Sequence, residues 1–137
     1  MSDMTDAQTD ASRSTALAMF ACMAEQDFER LWTEFLTDDS TWTMIAPGVE
    51  PISGRGIPEF FAGGGAMFEG GAPTVTITGT TAEGGRVAIE AVGTVKLRNG
   101  RDYANRYHFL LEVRDGRVLA IREYMDSQHV AEAFAAA

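Results

Sequence analysis

At 137 residues the chain has room for one domain with a real core and none for a second, and its 45% apolar and 23% charged composition is that of a soluble globular protein. A formal charge of -9 with no basic run argues against a nucleic-acid partner, and no apolar stretch spans a bilayer or reads as a signal peptide. Cys22 has no second cysteine to pair with, which points to a reducing compartment, the cytoplasm; with only His108 and His129 beside it, no familiar zinc pattern exists.

Residues 1–10 are polar, acidic and aperiodic, and read as a flexible N-terminal arm; residues 11–137 read as the single folded domain. From Ala11 onward, Leu17, Phe20, Ala21, Ala24 and Phe28 recur at helical spacing. A second short helix carries Phe28, Leu31, Trp32 and Phe35, with Asp27 as its N-cap. Residues 41–45 alternate like a strand that Pro47-Gly48 breaks. A third helical piece opens at Gly56, with Pro58 in the first turn where a missing N–H costs nothing, and frays at Gly63-Gly64-Gly65.

Four strands follow. Residues 75–82 turn at Glu83-Gly84-Gly85 into residues 86–97, Asn99-Gly100 leads to a strand beginning near Asp102, and Asp115-Gly116 leads to the last one. Asp-Gly and Asn-Gly between alternating apolar residues are strong hairpin signals, because both turn positions want positive φ. Symmetric two-residue turns place Thr94, Asn105 and Asp126 in one cross-strand row. Val92, Tyr107 and Tyr124 form the next, then Glu90, Phe109 and Arg122. That register gathers Glu90, Asn105, Tyr107, Arg122, Tyr124 and Asp126 on one face. A slip of one residue in a turn moves a strand's whole set to the other face, and would nominate Glu123 and His108 instead of Asp126 and Asn105. A helix, SQHVAEAF, ends the chain.

Helices followed by an antiparallel sheet ending in GRVLAIREYMDSQHV resemble the nuclear transport factor 2-like superfamily, and within it the SnoaL-like branch, relatives of ketosteroid isomerases and limonene-epoxide hydrolases. DFERLWTEFLTDDSTW, GRDYANRYHFLLEVRDGRV and REYMD carry the resemblance, which spans about residues 17–134. It implies an α+β fold: a cone-shaped curved antiparallel sheet wrapped around N-terminal helices, open at one mouth, in cones that commonly dimerise through the sheet. The isomerase's helical tyrosine falls at Phe20 and its aspartate base at Ala46. Of the epoxide hydrolase's arginine between two aspartates, only the second aspartate matches, at Asp126; the arginine falls at Glu90 and the first aspartate at Val92. What stays open is the SnoaL-like arrangement, one acidic base in a greasy cavity.

The candidate catalytic residues are therefore Asp126 and Glu90. Asp126 is either a cavity carboxylate with a raised pKa or the N-cap of the last helix; Glu90 is either a second acid or base or the ion-pair partner of Arg122. The candidate substrate-binding residues are Asn105, Tyr107, Tyr124, Trp42, Phe60 and Phe61, with Met44 and Met67 as further lining; core packing is the ordinary reading of each aromatic. His108, Ile89, Leu110 and Leu119 fall on the convex face in this register, suiting a homodimer interface. The expectation is a small-molecule enzyme without metal or nucleotide cofactor, a cyclase, isomerase or hydrolase acting on an apolar substrate. A non-catalytic ligand-binding or protein-interaction module on the same cone is the alternative.

Overall fold

The computed structural model describes residues 2–45 and 48–135, with side chains from Asp6 onward. Ala46, where the isomerase-like base would fall, lies outside the described residues. The elements run α1 (Ser2–Ala24), α2 (Phe28–Arg30) passing into a π-helical turn (Leu31–Phe35), β1 (Thr41–Met44), β2 (Ile52–Ser53), α3 (Gly56–Gly64) with a 3-10 extension (Gly65–Met67), β3 (Thr74–Glu83), β4 (Arg86–Lys96), β5 (Asp102–Arg114), β6 (Arg117–Met125) and α4 (Ser127–Phe134). The segment read as an arm thus continues α1, and the Thr9 hydroxyl accepts the Gly84 N–H of the β3–β4 turn at 2.8 Å.

One open six-stranded sheet has the order β2-β1-β6-β5-β4-β3. All neighbours are antiparallel except β1 and β6, which run parallel, with Trp42 beside Ile121. The sheet curls around α1, and bulges between Ile77 and Gly79 and between Glu112 and Val113 bend its long strands. Helix α1 has two apolar stripes. Ala16, Met19 and Cys22 are buried in the core, while Leu17, Phe20, Ala21 and Ala24 face the hollow of the cone. Asp27 caps α2 as expected, its Oδ1 accepting Arg30 N–H at 3.1 Å.

Both hairpins that set the expected register differ from symmetry, each by one residue. Asp115 (φ 51) and Gly116 (φ 76) do form the two-residue turn with both φ positive, pairing Arg114 with Arg117. The register then steps from Val113↔Val118 to Glu112↔Ala120 and leaves Leu119 without a cross-strand partner. Between β4 and β5, Leu97 N–H donates to Arg101 O and Gly100 N–H to Leu97 O, both at 2.9 Å. This is a three-residue loop in which only Gly100 (φ 90) has positive φ. Gly93 therefore faces Asn105, Ala91 faces Tyr107, and Phe109 faces Glu123.

The concave face of β5 is as read, with Tyr103, Asn105, Tyr107 and Phe109 buried. On β4 and β6 the faces are exchanged. Glu90, Val92, Tyr124 and Arg122 lie outside, while Ile89 and Glu123 lie inside, so Ile89 belongs to the core rather than to the outer face.

Candidate active site

The cone encloses a cavity of about 510 Å³. Its wall comes from α1 (Leu17, Phe20), β1 (Trp42, Met44), the α3 region (Phe60, Phe61, Met67), β5 (Tyr103, Tyr107, Phe109), β6 (Glu123, Met125) and α4 (Val130, Phe134). Edge-to-face ring pairs knit this wall together: Trp42 with Phe61 at 4.6 Å and Phe20 with Phe109 at 4.8 Å between centroids. Trp42, Phe60, Phe61, Met44, Met67 and Tyr107 thus stand where a ligand in the cone would touch them.

Among the described residues Glu123 is the one carboxylate in the wall, and it is only 7% exposed. Burial among apolar groups disfavours its charged form and pushes its pKa up to about 7, while the hydrogen bond from Trp42 acts in the opposite sense. That bond is short, Trp42 Nε1–H donating to Glu123 Oε1 at 2.8 Å. It arises because parallel β1 lies beside β6 and brings residue 42 across from residue 121, two positions from Glu123 and on the same face of the strand. Nε1 is the only donor of an indole, so the bond holds one carboxylate oxygen in place.

Within the largely apolar wall sits a polar array on β5. Tyr103 Oη and Tyr107 Oη are 2.9 Å apart, and Asn105 Nδ2 donates to Tyr103 Oη at 3.2 Å. Asn105 also grips the end of β6: Nδ2 donates to Asp126 O at 3.1 Å and Oδ1 accepts Asp126 N–H at 3.0 Å. Burial raises the pKa of both phenols above the ordinary tyrosine range, Tyr107 far above it, so both are protonated at neutral pH. Gly93 makes room for the Tyr107 ring, since a Cβ there would stand 2.8 Å from Tyr107 Cε2.

The remaining sequence-predicted site residues lie elsewhere. Asp126 is exposed and caps α4, its Oδ1 accepting His129 N–H at 3.0 Å. Glu90 is exposed on the outer face, across from His108, and Arg122 pairs with Glu112 at 3.3 Å instead. Tyr124 is also outside, 42% exposed and edge-on to His108 at 6.3 Å. The physical reason is the same for Glu90 and Tyr124: each one-residue offset turns a strand over. Glu123 and Tyr103 were the residues passed over. Glu123 was visible as the consequence of a slip; Tyr103 shares the alternation of Asn105 and Tyr107, which was signal enough to find it. Among the described residues no three His, Cys, Asp or Glu side chains gather as a metal-ligating group.

A curved open sheet wrapped on an N-terminal helix, with an apolar hollow and one buried carboxylate, defines a nuclear transport factor 2-like cone. The chain belongs to the SnoaL-like domain family, whose profile matches residues 16–121. Solved structures share the fold. A candidate SnoaL-like polyketide cyclase from Jannaschia sp. CCS1 superposes with a TM-score of 0.80 at 19% identity, covering 94% of each chain. An NTF2-like protein from Burkholderia xenovorans LB400 does so with a TM-score of 0.77 at 22% identity, over 91% of this chain and 96% of that one. An epoxide hydrolase of the limonene-epoxide-hydrolase-like type from M. tuberculosis gives 0.75 at 20% identity, over 91% and 90%. No curated protein matches the chain.

Proposed function

We propose that this protein is a cofactor-independent enzyme that moves a proton on a small, mostly apolar substrate bound in the cone, with Glu123 as general base and acid. The observation that carries this reading is the buried Glu123 carboxyl, with a pKa of about 7, in a mostly apolar wall. A group titrating near neutrality can take a proton and return it, and such a group typically contributes about 10²–10⁴-fold in rate. Isomerisation or cyclisation fits this single carboxyl better than epoxide opening, because no arginine or lysine stands in the wall among the described residues. In the step proposed, Glu123 removes a proton from carbon beside a carbonyl. The C–H pair becomes the enolate C=C while the carbonyl π pair moves to oxygen, and the Glu123 carboxyl then returns its proton.

The proposal extends to assembly and setting: a homodimer through the outer sheet face, in the cytoplasm, consistent with the lone buried thiol of Cys22. None of the described helices is long and apolar enough to cross a membrane.

The test is proton exchange. Apolar cyclic ketones incubated in D₂O with the protein should lose their α-proton signals by NMR faster than with Glu123→Gln, by at least 10²-fold. Quenching of Trp42 by the same ketones, with Trp32→Phe as background to silence the other indole, reports binding separately. Equal exchange by both proteins, despite equal binding, would leave a non-catalytic binding module as the reading.

A further inference from the structure

We propose that Tyr107 is the hydrogen-bond donor that selects for an oxygen acceptor on the ligand, and that Asn105, acting through Tyr103, decides that this proton is the free one. The inference rests on the cavity being the ligand site; it does not need Glu123 to be a base.

Asn105, Tyr103 and Tyr107 have fewer acceptor places among themselves than protons to fill them. Asn105 cannot flip its amide: its Oδ1 faces the Asp126 N–H and its Nδ2 faces the Asp126 carbonyl, and the reverse would set donor against donor and acceptor against acceptor. Its second N–H therefore points at Tyr103 Oη, which must accept it. The two phenol oxygens are 2.9 Å apart and share one hydrogen bond, so one phenol proton is spent between them and one is left over. A phenol oxygen already accepting one hydrogen bond is the poorer acceptor and the better donor, because donation and acceptance along a chain polarise one another. The order is Asn105 to Tyr103 to Tyr107, and the remaining proton is that of Tyr107. Among the described residues Tyr107 Oη has no hydrogen-bond partner besides Tyr103.

That proton lies in the cavity wall, in the middle of apolar neighbours. Burial keeps the phenol neutral, so it retains a proton to donate. An occupant that fills the hollow with hydrocarbon alone would leave this donor dry and unpaired, which is costly. A ligand carrying one carbonyl oxygen on an apolar ring body satisfies it. The wall thus distinguishes an apolar ketone or quinone from a hydrocarbon of the same shape. Gly93 and the stacking of Tyr107 on Phe109, with centroids 5.3 Å apart, hold the ring so that the donor has a fixed place.

The probes are 1-tetralone and tetralin, the same two-ring body with and without the carbonyl. Titration calorimetry should show the wild-type protein binding the ketone at least tenfold more tightly, and the infrared carbonyl stretch of bound tetralone should move to lower frequency than in hexane. Tyr107→Phe should abolish both the preference and the frequency shift. Tyr103→Phe should keep the preference but weaken the shift, since Tyr107 keeps its proton and loses its polarising partner. Asn105→Asp should abolish the preference, because its carboxylate accepts the Tyr103 proton, Tyr103 then accepts from Tyr107, and no free proton is left on Tyr107. Melting curves check that each variant is folded, and the probes are compared at a pH well above the Glu123 value of about 7, where its carboxylate is ionised and cannot donate. Equal binding of the two probes, or no binding of the ketone at millimolar concentration, overturns the proposal. So does loss of the shift in Tyr103→Phe with retention in Tyr107→Phe, which would make Tyr103 the donor. Glu123→Gln should leave the ketone preference in place, so failure of the general-base reading and failure of this one are separate results.

Discussion

The indole N–H of Trp42 donates to Glu123 Oε1 at 2.8 Å, across two strands that are parallel neighbours although 81 positions apart in sequence. This bond stabilises the ionised carboxylate against the burial that disfavours it. In Trp42→Phe the opposing influence is gone, so the Glu123 pKa should rise further above its value of about 7. Titration by NMR with labelled glutamate carboxyls should show this directly, and the rising limb of any pH–rate profile should move to higher pH. A shift downward would mean that the bond does not favour the charged form.

Stability should carry the same signature. Glu123 is an acid whose folded-state pKa, about 7, lies above the ordinary 4.5. The folded protein thus binds this proton more tightly than the unfolded chain. The associated stability is fully present below about 4.5, is lost as pH rises towards 7, and is absent above it. Glu123→Gln imitates the protonated form at every pH and keeps an oxygen for Trp42. At pH 8 it should be more stable than the wild type, by on the order of 3 kcal/mol for a shift of this size. At pH 4 the two should be nearly equal. Urea denaturation at both pH values measures the difference; a glutamine variant less stable at pH 8 would contradict the burial argument.

Asp126 should behave as a cap. Asp126→Asn retains an oxygen for His129 N–H and should leave both melting temperature and turnover nearly unchanged. Asp126→Ala should cost about 1 kcal/mol of stability, read as a lower urea midpoint. Loss of turnover in Asp126→Asn without loss of stability would return the catalytic assignment to this residue.

Gly93→Ala tests the fit of Tyr107. The added methyl would meet the ring at 2.8 Å, and the ring has Phe109 stacked behind it. Overpacking of this kind typically costs about 1–3 kcal/mol. The variant should melt earlier and should show a weaker carbonyl shift of bound tetralone. Pairing with Tyr107→Phe should not relieve the melting defect, because the clash is with the ring and not with the hydroxyl.

The outer sheet face exposes Val92 and Tyr124 beside half-buried Leu110. A homodimer through this face should scatter light as about twice 14.8 kDa. Tyr124→Lys should shift the mass to that of one chain while leaving the cavity untouched. A wild-type monomer at micromolar concentration would dismiss the interface.

Local chemistry made much of this protein legible in its sequence. Helical spacing from Leu17 to Phe28, the Asp27 cap, the Asp115-Gly116 turn and the period-two alternation of Tyr103, Asn105, Tyr107 and Phe109 each depend on a few neighbouring residues. Those signals were sufficient for the element order apart from the two-residue β2, which was not read, and for the inward face of β5. The site's carboxylate depended on something no local signal carries. A three-residue loop at 98–100 and the unpaired Leu119 each offset a strand by one, and an offset of one exchanges inside for outside. Asn-Gly suits two-residue and three-residue loops alike, and a bulge is chosen by how a curving sheet closes on its helix. The tertiary structure therefore decided that Glu123, and not Asp126, faces the cavity. It also brought β1 beside β6 in parallel, a pairing with no turn to announce it, and so gave Glu123 its indole partner.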